Sequence, residues 1–261
     1  MSSTLIGNIG QLVTQDADLG ILHNAGLVYE NERVVWVGDI KRAPDADNFI
    51  DAQGCSVIPG FVDSHSHAIF GGNRLNDFLG RMSGNPYTSG GIKTTVAATR
   101  GASDDELRSH LAKIVSEFTS HGITTFEIKS GYGLDVETES RLLKIAKEFT
   151  DETTFLGAHV IPVEFENNRD DYVALVKGEM LQAAIPYSKW IDVFCDNGAF
   201  TVEESREILQ TGMAKGLLGR IHGNQLGQTG GAELAIELGL ASVDHATHVS
   251  DTTIEALAAS D

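Results

Sequence analysis

The chain is short of basic residues, of cysteine and of long apolar runs, and each shortage excludes something. Nineteen Lys and Arg stand against thirty-seven Asp and Glu, a formal net charge of −18. A protein that grips nucleic acid needs clustered cations to neutralise phosphates, so that class is disfavoured. The acidic excess is spread along the chain and is read as solubility. Two cysteines, Cys55 and Cys195, lie far apart. They argue against a disulfide framework and fit a reducing cytoplasm. No apolar run approaches the roughly 18 residues that a membrane span needs, and no basic-then-apolar leader opens the chain. With 41% apolar and 21% charged residues over 261 positions, the composition is that of a globular protein with a large core.

Against this background one stretch stands out: Val57-Ile58-Pro59-Gly60-Phe61-Val62-Asp63-Ser64-His65-Ser66-His67. An apolar run ends in two histidines one residue apart. On a strand, residues i and i+2 face the same way, so both imidazoles can reach one point at the strand's C-terminal end. Imidazole suits a borderline divalent ion such as zinc, or iron.

Before this stretch, residues 4–56 read as short strands and turns. Glu30-Asn31-Glu32 separates two β-rich runs and signals a hairpin. After it, strand-like and helix-like stretches alternate, which predicts βα units around a parallel sheet. Strands are expected at 122–129, 153–159, 190–195, 217–222 and 241–245. Helices are expected at 135–149, 168–183 and 231–238, among others. Ser103-x-x-Glu106 and Thr201-x-x-Glu204 have capping-box spacing, and Ser250 is placed to cap the last helix. Six βα units are counted, where a closed barrel of this kind has eight. Residues 57–261 supply the six, and two more would take roughly another 70 residues. The expectation is therefore a chain truncated at its C-terminus, poorly soluble and inactive when expressed alone.

Several motifs carry a resemblance. Pro59-Gly60-Phe61-Val62-Asp63-x-His65-x-His67 resembles the first barrel strand of the metal-dependent amidohydrolases. Phe70-Gly71-Gly72-Asn73-Arg74, Glu127-Ile128-Lys129-Ser130-Gly131-Tyr132-Gly133-Leu134 and Gly157-Ala158-His159-Val160-Ile161-Pro162 narrow it. Together, in order, they resemble the imidazolonepropionase family, and the likeness runs through the whole chain. It implies an α/β fold: a (β/α)8 TIM-like barrel, here six of eight units over residues 57–261, beside a partial, β-sandwich-like domain over residues 1–56 completed by strands from after the barrel.

The resemblance also implies the chemistry. Members hydrolyse the cyclic amide of 4-imidazolone-5-propanoate to N-formimidoyl-L-glutamate with a metal-activated water. It places one metal ion, Zn2+ or Fe3+, on His65, His67 and His222, with a fourth ligand, an Asp, on the eighth strand. It makes His245 the proton-transfer residue, in preference to His248. It assigns Arg74, Tyr87, Tyr132 and His159 to the substrate, Arg74 offering a planar fork for the propionate carboxylate. Gln225 stands where some members carry Glu; an amide cannot take a proton at neutral pH, so it is assigned to hydrogen bonding. The loop from Asn85 to Gly91 is a few residues shorter than in the family. The expected partner is the small-molecule substrate, without nucleic acid or membrane, and a homodimer is an assembly the resemblance allows. Another cyclic amidohydrolase, a deaminase of the same superfamily and an inactive fragment remain open alternatives.

Overall fold

The computed structural model describes residues 2–83 and 90–260. The chain divides into two compact units, Met1–Phe61 and Val62–Asp261.

In the first unit, β1 (Ser3–Val13) runs antiparallel to β2 (Ile21–Glu30), which pairs with β3 (Arg33–Asp39). Asn31 and Glu32, both with positive φ, make the tight turn between β2 and β3, the backbone twist that a two-residue hairpin needs. β4 (Asn48–Asp51) and β5 (Ser56–Val57) both run parallel to β1. Ile9, Leu12 and Ala25 form a small core.

The second unit alternates strand and helix as expected. β6 (Phe61–Asp63) neighbours β7 (Ile123–Phe126), and β7 continues almost directly into β8 (Ile128–Lys129). β8, β9 (Thr153–Ala158), β10 (Trp190–Cys195), β11 (Leu218–Gly223) and β12 (Ser242–His245) then pair in sequence order, all parallel. Every residue of β9 and β10 is buried, as befits strands covered on both faces. The connecting helices include α1 (Leu75–Met82), α2 (Gly90–Gly101), α3 (Asp104–Ser120) and α4 (Val136–Ala146). Leu107 and Leu111 of α3 and Leu142 and Leu143 of α4 join the core around Ile128, Phe155 and Ile191. Both capping boxes form, Ser103 with Glu106 and Thr201 with Glu204.

One helix departs from expectation. The stretch read as continuous over 168–183 is α5 (Arg169–Leu175), a π-helical turn over Val176–Met180 and α6 (Leu181–Ala184). Gly178 sits in the turn with φ −97° and ψ −107°, a conformation that glycine tolerates and that breaks the helix. Beyond it run α7 (Val202–Met213), α8 (Gly231–Leu238) and α9 (Asp251–Ala258).

The sheet curls. From β6 to β12 there are five steps between neighbouring strands, which in a flat sheet would separate the ends by about 24 Å. Instead His65, just past β6, and Asp244, in β12, touch at 2.7 Å. Curling brings the C-terminal ends of the first and last strands to a common centre.

α8 closes tightly on the end of β11. A Cβ on Gly231 would lie 2.7 Å from Gly223 Cα, closer than backbone and side chain can approach. Gly231→Ala is therefore expected to destabilise the fold by about 1–3 kcal/mol. The denaturant midpoint should fall at an unchanged m-value, and an unshifted midpoint would show that the approach is not tight.

Candidate active site

The C-terminal ends of the strands deliver histidines to this centre. His65 and His67 follow β6, His222 lies near the end of β11, and His245 ends β12. His67 Nε2 lies 3.3 Å from His65 Nε2 and 3.1 Å from His222 Nε2. Three ring nitrogens thus converge, and the three residues form a group able to hold a metal ion.

The other ring nitrogens explain the convergence. His65 Nδ1 meets Asp244 Oδ2 at 2.7 Å, and His222 Nδ1 lies 2.9 Å from Asp192 Oδ2. Hydrogen bonding to Asp244 keeps the His65 proton on Nδ1 and leaves the Nε2 lone pair pointing into the centre, while Asp192 stands at ion-pair distance behind the His222 ring. Neutral imidazoles with aligned lone pairs are the donor set that zinc or iron takes, so the residues present fit such an ion. Burial, with His159 and His222 close by, holds His67 well below the ordinary histidine range and keeps it neutral.

Beneath the histidines lies a buried ionic cluster. Lys129 Nζ contacts Asp192 Oδ2 at 2.7 Å, Glu127 Oε2 at 2.9 Å and Asp244 Oδ2 at 3.2 Å. Arg220 reaches Glu127 Oε1 at 2.6 Å. Burial works against the Lys129 charge, but Asp192, Glu127 and Asp244 outweigh it and raise its pKa. Asp192 is likewise pushed up by burial, yet His222 and Lys129 hold it well below the carboxylate range. Two cations face three carboxylates, so the floor of the site carries one net negative charge when the imidazoles are neutral.

Tyr132, His159 and Arg74 stand beside the centre. The His159 ring stacks on His67 with centroids 5.1 Å apart, and its Nδ1 contacts the Gly131 carbonyl at 2.8 Å. Donation to that carbonyl leaves His159 Nε2 as an acceptor. The Tyr132 ring lies 5.3 Å from His159 and 5.9 Å from His67. Arg74 donates from Nη1 to the Tyr132 hydroxyl. The loop carrying Tyr132 is held by buried Glu139, whose carboxylate accepts from the backbone N–H groups of Gly131, Gly133 and Leu134.

The remaining expected residues are placed as follows. The His245 ring lies 5.1 Å from His65 and 5.2 Å from His222, on a left-handed backbone with φ 73°, a conformation uncommon outside glycine. His248 is exposed, and its backbone bonds to Asn224. Gln225 follows His222, its backbone N–H held by Asp196 Oδ2 at 2.7 Å. Tyr87 lies outside the described residues. Motif reading assigned no role to Lys129, Asp192, Asp244 or Glu139. Their signal was present: Glu127 and Lys129 are charges two apart on one strand, and Asp192 interrupts an apolar strand.

The neutral imidazoles make stability depend on pH. Burial, then the neighbouring His222, lowers His159 to about 3. Burial, with His222 and His65, lowers His245 to about 4. An unfolded histidine takes up a proton near 6.5. Between pH 6.5 and 4 the unfolded chain therefore binds more protons than the folded one, and stability falls as pH is lowered. In chelator, His159→Gln should flatten that slope by up to about 1.4 kcal/mol per pH unit. Denaturation at a series of pH values measures it; an unchanged slope would mean that His159 is protonated in the fold.

The model of the "Amidohydrolase family" matches residues 48–109. The imidazolonepropionase of Salinispora arenicola is 53% identical over 99% of this chain and 67% of its own length. That of Mycolicibacterium smegmatis is 53% identical over 100% of this chain and 67% of its own. The chain thus spans about two thirds of the length of these relatives. Among solved structures, A. niger ochratoxinase superposes with a TM-score of 0.70 at 19% identity, over 99% of this chain and 63% of that one. Guanine deaminase from C. acetobutylicum superposes with a TM-score of 0.67 at 13% identity, over 99% of this chain and 66% of that one. These two likenesses show an amidohydrolase-type fold.

Proposed function

The chain belongs to the imidazolonepropionases, hydrolases of histidine degradation, and from that premise we propose that its converging histidines form the metal centre at which 4-imidazolone-5-propanoate is opened. Water adds to the ring amide carbonyl, the C–N bond breaks, and N-formimidoyl-L-glutamate leaves. The observation that supports this best is the meeting of three Nε2 atoms, two of them with carboxylates at their backs.

In this reading His65, His67 and His222 hold one metal ion, zinc or iron. Such an ion, when bound, polarises the carbonyl and eases loss of a proton from water. His245, kept neutral at physiological pH, accepts the proton of the attacking water and returns it to the departing ring nitrogen. His159, with Nδ1 committed to Gly131, uses Nε2 to accept from a ring N–H of the substrate. Arg74 pairs its guanidinium with the propionate carboxylate, beside the hydroxyl of Tyr132, and Tyr87 and Gln225 complete the substrate contacts. The amide of Gln225 orients and takes no proton. The wider reading is a (β/α)8 barrel of which residues 57–261 contribute six units, with a β-sandwich-like domain to which residues 1–56 contribute. The partner is the small-molecule substrate in the cytoplasm, with neither nucleic acid nor membrane. Turnover of imidazolone propionate in preference to guanine and other cyclic amides separates this activity from a deaminase on the same fold.

Two substitutions test the assignment in the full-length protein. His65→Ala should abolish turnover and metal retention together; a full metal complement by elemental analysis would sink the ligand assignment. Arg74→Lys should replace a planar fork by a point charge and lower kcat/KM by a factor equivalent to about 1–3 kcal/mol, with metal content unchanged. An unaltered kcat/KM would place Arg74 outside the substrate's reach.

A further inference from the structure

Ring opening as described makes no use of Lys129, yet this side chain is wholly buried under the centre. Its Nζ lies 2.7 Å from Asp192 Oδ2 and 3.2 Å from Asp244 Oδ2. These are the same two oxygens that face the histidines, Asp192 Oδ2 on His222 Nδ1 and Asp244 Oδ2 on His65 Nδ1. One ammonium therefore joins the partners of two ligand rings that come from opposite ends of the curled sheet. Asp192, His222 and Asp244 also form, by themselves, a second group able to hold a metal ion. In that group the ammonium already stands between the carboxylates.

We propose that Lys129 is a positioning residue and the resident cation of this second group. It holds Asp192 and Asp244 against His222 and His65, and it reserves their carboxylates so that the centre takes a single metal ion. The inference rests on the three-histidine reading of the centre. Without the ammonium, two carboxylate oxygens aimed at one point would repel and turn away, and each ring would lose the partner that fixes it. Loss of such partners typically weakens metal binding 10–100-fold. Glu127 is the internal contrast. It contacts Lys129, Arg220 and Thr154, so its loss disturbs the cluster without releasing a ligand ring.

The test is a Co2+ titration of the metal-stripped full-length protein, followed by equilibrium dialysis and by ligand-field absorption. The wild type should take up one equivalent. Lys129→Met should bind it at least tenfold more weakly with altered ligand-field bands, whereas Glu127→Gln should keep the wild-type affinity and bands. A Lys129→Met protein with wild-type affinity and bands overturns the proposal, as does a wild type that takes up two equivalents. Matching losses in Glu127→Gln would also overturn it, reducing Lys129 to a general stabiliser. If Lys129→Met does not fold, anomalous diffraction from wild-type crystals soaked in excess Co2+ decides. One ion at the Nε2 atoms, with Nζ still bridging both carboxylates, supports the role; a second ion among Asp192, His222 and Asp244 overturns it. A wild type that binds no Co2+ rejects the metal-centre reading along with this one, while bound Co2+ with an insensitive Lys129→Met rejects Lys129 alone.

Discussion

The site depends on two imidazole–carboxylate contacts, His65 with Asp244 and His222 with Asp192. Each does in chemistry what a histidine cannot do for itself, which is to choose a tautomer and a ring orientation. The Nε2 atoms of His65 and His222, 3.3 and 3.1 Å from His67 Nε2, crowd their lone pairs against it in the absence of a cation. The carboxylates hold that arrangement ready, at the cost of burying anions, which Lys129 offsets by pairing with both. The floor of the centre is thus a paired ionic slab with one net negative charge, which favours a cation above it.

The rest of the second unit can be understood as what delivers these groups. β11 and β12 pair so that His222 stands directly opposite Asp244. Asp192 comes from β10, Lys129 from β8, and His65 from beyond β6, across the curl of the sheet. Glycine at 223 and 231 lets α8 press against the strand end that carries His222. On the neighbouring edge, the Gly131–Leu134 loop is tied to the buried Glu139 carboxylate by three backbone donors. Tyr132 is thereby fixed between His159 and Arg74 even though its loop is rich in glycine.

Much of this was legible in the sequence wherever the signal was local. The His65-x-His67 spacing, the two capping boxes and the strand preceding each converging histidine depend on periods of two to four residues, and such patterns survive without knowledge of the fold. The partners of those histidines did not stand out, because Asp244 lies 179 residues from His65 and no spacing rule links them. Asp192 and Lys129 looked like isolated charges until strand order placed them under one centre. The break at Gly178 was missed for a related reason: a lone glycine in a helical pattern is compatible with a straight helix, and only packing of the two halves selects the kink. His245 was read from its strand end, but its left-handed backbone conformation has no sequence marker in a histidine.

The proposed centre holds one metal ion on three imidazoles presented through Nε2. X-ray absorption spectroscopy of the zinc-loaded full-length protein tests it without crystals or turnover. Such a centre should show a first coordination sphere of nitrogen and oxygen at about 2.0–2.1 Å, with the outer-shell scattering of three imidazole rings. A spectrum fitted by sulfur, or by one imidazole or none, would contradict it.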